Sequence, residues 1–301
     1  MKAKSPNFFI AGAPKCGTTA LHEYLKTHPS IFMPEIKEPY YFYSHKDKLP
    51  LATHTAEEYS RIYHDAQEEA TLLGDSSVLY LMDYQSHIRI RDFCKESRII
   101  TMVRNPLDMA YALHGQYLLA GWEDISDFQT AWNKQELRNS NDKLPAQCPH
   151  SSVLQYRDVC MNGRHITKLL ETFPKEQVMV VIFDDFLSDT LGIYKKVLEF
   201  LGAPYDGRTN FPPVNESRLW RHQGVATLLN SLKQPWAKIK KVLNIERTGI
   251  WNLSKDILAA KGKRRALSTE FKKELLSGFI DDISTIERIT NRDLSKWKKE
   301  I

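Results

Sequence analysis

Between Phe8 and Leu25 the chain reads FFIAGAPKCGTTALHEYL, and that order leaves few folds open. Phe8 to Ala11 form a short apolar run suited to a buried strand. Gly12 to Gly17 supply small and turn-forming residues, and Thr18 onward has the character of a first helical turn. A strand, a tight loop and a helix in that sequence direct several backbone N–H groups into one concavity at the positive end of a helix dipole. An oxyanion such as phosphate or sulfate fits there. Lys15 adds a cation, and Thr18 and Thr19 add hydroxyl donors. Glycine-bearing strand-to-helix turns also occur without any ligand, and that reading stands beside the functional one.

Comparison with the Walker A pattern, G-x-x-x-x-G-K-[ST], narrows the guest. Gly12 and Gly17 have the required separation, but Thr18 stands where the lysine that reaches the β- and γ-phosphates belongs. The lysine of this loop lies inside it, at Lys15. Such a loop suits a 5′-phosphate and whatever is attached to it better than a triphosphate with magnesium.

With 301 residues, 42% of them hydrophobic, the chain can bury a large core. No internal repeat or long linker divides it, so a single domain over residues 1–301 is expected. A formal net charge of +5 gives little indication of a nucleic-acid partner. The four cysteines, Cys16, Cys94, Cys148 and Cys160, are widely spaced. That spacing disfavours both a zinc site and a disulfide scaffold and fits a reducing compartment. Cys16, near a helix N-terminus and a lysine, is either a thiol of lowered pKa or a small filler. No apolar stretch precedes the first strand and none is long enough to span a bilayer, so a soluble, cytoplasmic protein is expected.

APKCGTTAL resembles the 5′-phosphosulfate-binding loop, PKxGTTxL, of sulfotransferases that use 3′-phosphoadenosine 5′-phosphosulfate (PAPS). The resemblance implies a P-loop-like α/β fold of three layers, with a central parallel sheet flanked by helices. It also implies cofactor contacts from Pro14, Lys15, Cys16, Gly17, Thr18 and Thr19, with adenosine 3′,5′-bisphosphate (PAP) as product and no metal.

Further segments carry the same resemblance. Lys37, Glu38, Pro39 and Phe42 are similar to the KEpxxF signature of the polysaccharide enzymes, which implies that Glu38 is the general base and, with Lys15, a catalytic residue. The alternative for Glu38 is a surface ion pair with Lys37. GDSSVLYL, Gly74 to Leu81, reads as a buried strand opening into a turn, and the resemblance makes Asp75 and Ser76 candidate acceptor contacts. A strand-end hydrogen bond is the alternative there.

Ile99 to Val103 read as a central parallel strand ended by Arg104, with Pro106 at the first position of a helix. Ligands bind at the carboxyl ends of such strands. RNPLDMAYALH resembles the 3′-phosphate motif RNPxxRAYSxY, which gives Arg104 the 3′-phosphate. Ala112 stands where the family has a serine, and His114 is a possible substitute that helix geometry turns away.

Thr27 to Pro39 reads as an extended loop, Thr55 to Ala70 as a solvated helix, and Asp127 to Arg138 as an amphipathic helix. Asn139 to Ser152 reads as a loop over the acceptor cleft, and Tyr156 to Pro174 as one helix. Val178 to Phe183 form another strand, followed by a helix that Gly202 stops. Gln234 to Lys273 is markedly basic. Within it Lys261, Gly262, Lys263 and Arg264 resemble the start of the KGRxxP loop that closes over the cofactor's phosphates. Thr269 to Trp297 resembles the family's C-terminal helix.

The whole points to sulfuryl transfer from PAPS to a carbohydrate or small-molecule hydroxyl or amine. A non-catalytic PAPS-binding protein and a P-loop nucleotide kinase are the alternatives.

Overall fold

The computed structural model describes residues 4–49, 51–138, 144–214, 219–220, 259–260 and 266–299. The chain divides into two compact units. The first comprises Met1–Ala110, Arg157–Asn215 and Lys272–Ile301; the second comprises Tyr111–Tyr156 and Glu216–Phe271.

The first unit is built on a five-stranded sheet in the order β2-β3-β1-β4-β5, every neighbouring pair parallel. The strands are β1 (Phe8–Gly12), β2 (Ile31–Phe32), β3 (Leu72–Ser76), β4 (Arg98–Val103) and β5 (Val178–Ile182). All five residues of β1 are buried, as a strand covered on both faces requires. Phe8 pairs with Gly74 on one side and Arg98 on the other, and Ile10 with Ser76 and Ile100. From β1 the chain passes to the edge strand β2, returns inward to β3 beside β1, and then crosses to β4 on the other side of β1. The switch point of this doubly wound sheet therefore lies at the carboxyl end of β1.

Helices α1 (Thr18–Lys26), α2 (Ala56–Arg61), α3 (Tyr84–Phe93) and α4 (Pro106–Ala120) follow the first four strands. Next come α5 (Phe128–Asn133), α6 (Tyr156–Cys160), α7 (Asn162–Leu170), α8 (Phe183–Ser188) and α9 (Thr190–Leu201), the last closed by Gly202 at φ 73° as expected. Among the described residues no helix is long and apolar enough to cross a membrane.

Several boundaries differ from expectation for physical reasons. β3 starts at Leu72 and stops at Ser76, where a single turn of 3₁₀ helix, Val78–Tyr80, takes over. The turn lets Ser77 N–H reach the Ile10 carbonyl at 3.2 Å and Leu81 N–H the Ala11 carbonyl at 2.9 Å, covering the end of β1. β2 lies within the segment expected to be loop; its two residues are too short to show a periodicity.

α2 is shorter than expected. It opens on a capping box of Thr55 and Glu58 and buries Tyr59. The helix expected from Tyr156 breaks at Met161 because Asp282 caps α7, accepting from Gly163 N–H and Arg164 N–H, each at 2.8 Å. A Cβ on Gly163 would sit 2.4 Å from the Asp282 carbonyl oxygen, so only glycine permits that approach. The C-terminal helix is three, Thr269–Ser277, Ile280–Thr290 and Ser295–Lys299.

In the second unit Arg138 and Glu123 form a buried ion pair at 2.6 Å, with the Tyr156 hydroxyl donating to Glu123 at 2.8 Å. Phe128 and Ala131 turn inward from α5, as the expected apolar stripe requires.

Candidate active site

The loop after β1 is tied to β4, because Ala13 N–H donates to the Met102 carbonyl at 2.7 Å. Lys15 and Gly17 then take left-handed backbone, at φ 63° and 89°. Gly17 is the N-cap of α1 and, as glycine, brings no capping side chain, so among the described residues the first N–H groups of the helix are left to a ligand or solvent. A Cβ on Gly17 would lie 2.8 Å from the Phe183 ring, so the loop is pressed against the first residue of α8.

Cys16 lies inside this turn with no exposed surface. Its sulfur is 3.4 Å from the Pro14 carbonyl oxygen and 3.8 Å from Met109 Sδ. Burial pushes its thiol up to about 12, although Arg104 and Lys15 both pull the other way. The filler reading of Cys16 is therefore the one observed; the lowered thiol pKa is not, and the residue offers a ligand only its backbone. Thr18 is buried and Thr19 half-buried.

Arg104 follows β4 directly. Its guanidinium pairs with Asp108 one helical turn on at 3.1 Å and stacks over Phe183 at 5.1 Å from the ring centre. Phe183 thus lies against both Gly17 and Arg104, which sets Arg104 beside the loop that carries Lys15. In the sequence Phe183 reads only as the last residue of a strand. The usable signal was its place at the carboxyl end of β5, beside the end of β4. Behind Phe183, Trp297 Nε1–H donates to Asp184 at 2.6 Å and Arg292 pairs with Asp185 at 2.6 Å.

Glu38 lies on the other side of the β1 loop, where its N–H donates to the Ser76 carbonyl at the end of β3, 2.9 Å away. Its carboxylate takes the Lys37 ammonium at 2.7 Å on one oxygen and the Tyr40 hydroxyl at 2.7 Å on the other. The side chain keeps 29% of its surface, so the ion pair with Lys37 is present and the carboxylate is still accessible. Tyr40, the first of four consecutive aromatic residues, is the direct neighbour of the expected base.

Asp75 occupies the second of its two expected places. It is wholly buried and accepts from Tyr59 Oη–H at 2.7 Å, Ser77 Oγ–H at 2.7 Å and Tyr80 Oη–H at 3.1 Å. Three internal donors and no exposed surface correct the expectation of an acceptor contact. Burial pushes its carboxyl up to about 6, against those hydrogen bonds. Ser76 is also buried, and its hydroxyl has no hydrogen-bond partner among the described residues.

His114 is no stand-in for the missing serine, because its Nε2 is engaged with the Ile125 carbonyl at 2.8 Å. Lys261, Gly262, Lys263 and Arg264 lie outside the described residues, as does 139–143 of the expected acceptor loop. Among the described residues no cluster of His, Cys, Asp and Glu could hold a metal ion.

Carbohydrate sulfotransferase 15 of Rattus norvegicus is 22% identical to this chain over 244 residues, covering 65% of the chain and 43% of that protein. Heparan sulfate glucosamine 3-O-sulfotransferase 3A1 of Mus musculus is 25% identical over 197 residues, covering 65% of the chain and 46% of that protein. The chain thus spans less than half the length of the curated relatives it matches.

Among solved structures, a sulfotransferase from Alicyclobacillus acidocaldarius superposes with a TM-score of 0.70 at 23% identity, covering 98% of this chain and all of that one. The fold is therefore the P-loop-like sulfotransferase fold. A mouse sulfotransferase, SULT7A1, solved in complex with PAP, superposes with a TM-score of 0.50 at 15% identity, covering 100% of this chain and 89% of that one. The family model for the sulfotransferase domain matches residues 5–274, from before β1 to the helix after the basic stretch, and the chain belongs to the sulfotransferase domain family.

Proposed function

We propose that residues 1–301 act as one sulfotransferase domain that moves the sulfuryl group of PAPS to a hydroxyl or amine acceptor and releases PAP. The observation that carries this reading is the packing of Phe183 against both Gly17 and Arg104, which sets the end of β4 beside the loop that carries Lys15, at a helix α1 whose N-cap glycine brings no capping side chain. A loop of N–H donors with one cation suits the 5′-phosphosulfate, and a second cation from the neighbouring strand end suits the 3′-phosphate.

In this reading the acceptor oxygen loses its proton to Glu38 as it attacks sulfur in line. The new S–O bond forms as the bond to the 5′-phosphate breaks, and PAP leaves with the electron pair. Lys15 and the loop N–H groups stabilise the charge that grows on the bridging oxygen. Lys37 and Tyr40 hold the Glu38 carboxylate by its two oxygens, so the base is oriented before the acceptor arrives. No step passes through a metal. Pro14, Cys16, Gly17, Thr18 and Thr19 contribute to the cradle, and Lys261 to Arg264 are added to the phosphate contacts on their sequence alone.

The names of the relatives support a carbohydrate acceptor, with a small molecule as the other class. A cytoplasmic setting belongs to the same proposal, supported by four cysteines that are all free thiols.

The test is radiolabelled PAPS against an acceptor panel, with PAP binding followed by calorimetry. Lys15→Ala and Glu38→Gln are each expected to lower kcat by about 10²–10⁴-fold. A Glu38→Gln enzyme with wild-type kcat removes the base assignment. Tight PAP binding without transfer to any acceptor favours a binding protein instead.

A further inference from the structure

Glu38 and Tyr40 both hold left-handed backbone, at φ 63° and 51°. Two such residues with only Pro39 between them, neither of them glycine, persist only where the surroundings impose them. Three hydrogen bonds from alternate residues do this. Glu38 N–H donates to the Ser76 carbonyl at 2.9 Å, Tyr40 N–H to Ser77 Oγ at 3.2 Å and Phe42 N–H to Tyr80 Oη at 3.3 Å.

Two of those three acceptors are hydroxyls, and a hydroxyl presents a lone pair to an N–H only while its own proton points elsewhere. Both protons go to one group. Ser77 Oγ–H donates to Asp75 Oδ1 at 2.7 Å and Tyr80 Oη–H to Asp75 Oδ2 at 3.1 Å. The third donor to Asp75, Tyr59, stacks on Tyr41 at 4.3 Å between ring centres and meets Phe42 edge-on at 5.4 Å. Every hydrogen bond Asp75 accepts therefore leads, one group further on, to the segment that carries Glu38.

We infer that Asp75 is a positioning residue: from full burial it orients the Ser77 and Tyr80 hydroxyls as acceptors for the Tyr40 and Phe42 N–H groups. It thereby fixes the left-handed segment that presents the Glu38 carboxylate and its partner, the Tyr40 hydroxyl. This rests on the role proposed above for Glu38. An asparagine at position 75 keeps the shape, but its amide nitrogen can only donate, so whichever way the amide sits, Ser77 or Tyr80 loses the acceptor of its proton and its lone pair is no longer fixed on the loop N–H.

The experiment is a double-mutant cycle of wild type, Asp75→Asn, Glu38→Gln and the double variant. It is assayed with radiolabelled PAPS and with para-nitrophenol or desulfated heparin as acceptor, and with PAP calorimetry as the control on the nucleotide site. Asp75→Asn is expected to lower kcat by about a hundredfold, the scale of an ångström's misplacement of a reacting group, with PAP affinity within about twofold of wild type. In the Glu38→Gln background the same change is expected to cost no further activity, because its effect runs through Glu38.

Wild-type kcat in Asp75→Asn, with Glu38→Gln crippled, overturns the inference and leaves the role of Glu38 standing. An equal fold-loss in both backgrounds also overturns it, since Asp75 then acts independently of Glu38. Wild-type kcat in Glu38→Gln removes the role of Glu38 itself and the inference with it. Should Asp75→Asn fail to fold, Tyr80→Phe deletes the one hydroxyl shared by Asp75 and Phe42 N–H. It is expected to lower kcat with PAP affinity kept, and an unchanged kcat there overturns the inference.

Discussion

Gly17→Ala puts the loop to a quantitative test. Gly17 holds φ 89°, and an alanine held there bears a backbone penalty of about 1–2 kcal/mol. The new Cβ would also meet Phe183 Cε2 at 2.8 Å, Phe183 Cδ2 at 2.9 Å and Met102 Cε at 3.3 Å. The methionine end is flexible and can move aside. The phenylalanine ring is half-buried and must swing off its rotamer, at about 0.5–1.5 kcal/mol, which also draws it from beneath the Arg104 guanidinium. The two contributions together give a loss of about 1.5–3.5 kcal/mol, read as a lower urea midpoint of the full chain at unchanged slope. PAP affinity, measured by calorimetry, is expected to fall with it, because the turn that aims the first N–H groups of α1 has shifted. Adding Phe183→Leu should recover the ring contribution and leave the backbone one. A Gly17→Ala protein with the wild-type midpoint and wild-type PAP affinity refutes the reasoning, since neither the left-handed turn nor its contact with Phe183 would then matter.

Two further outcomes follow from the same geometry. Arg104→Ala is expected to weaken PAP binding by about 10–100-fold, the loss of one charge-assisted contact, while the urea midpoint stays near wild type because its ion pair with Asp108 is half-exposed. An unchanged PAP affinity by calorimetry would place the 3′-phosphate elsewhere. Acidification is expected to lower stability between about pH 6.5 and pH 4, because burial pushes the His22 and His165 imidazoles down to about 4, so over that range only the unfolded chain takes up their protons. Asp75 opposes this: its raised carboxyl contributes stability that is present below its unfolded pKa of 3.8 and is lost as pH rises through about 6. Urea midpoints across this range should therefore fall more steeply toward acid in Asp75→Asn than in wild type, and parallel curves would show that Asp75 does not titrate there.

The legible parts of this chain are those whose structure is decided by neighbours in sequence. Phe8 to Ala11 and Ile99 to Val103 are apolar runs bounded by turn formers. Pro106 and Gly202 mark a helix start and a helix stop, and each element was found where the residues put it. What the sequence did not disclose was set from a distance. The break between α6 and α7 is made by Asp282, and the short β2 exists because β3 lies beside it.

The site divides along the same line. Lys15 and Arg104 stand out as cations at strand ends, since a parallel sheet brings such ends together whatever the intervening chain does. Phe183 has no charge or motif to mark it, and its importance lies in touching both Gly17 and Arg104. Asp75 shows where strand reasoning reaches its limit. Alternation along β3 says that Asp75 and Ser76 face opposite sides of the sheet, but not which side meets solvent. That is decided by Tyr59, arriving from α2, and Tyr80, arriving from the turn that covers β1, whose hydroxyls close over the carboxylate before any acceptor could reach it. An acidic residue beside a presumed substrate cleft thus becomes internal because two tyrosines far apart in sequence converge on it, and the same convergence ties it to the backbone that carries Glu38.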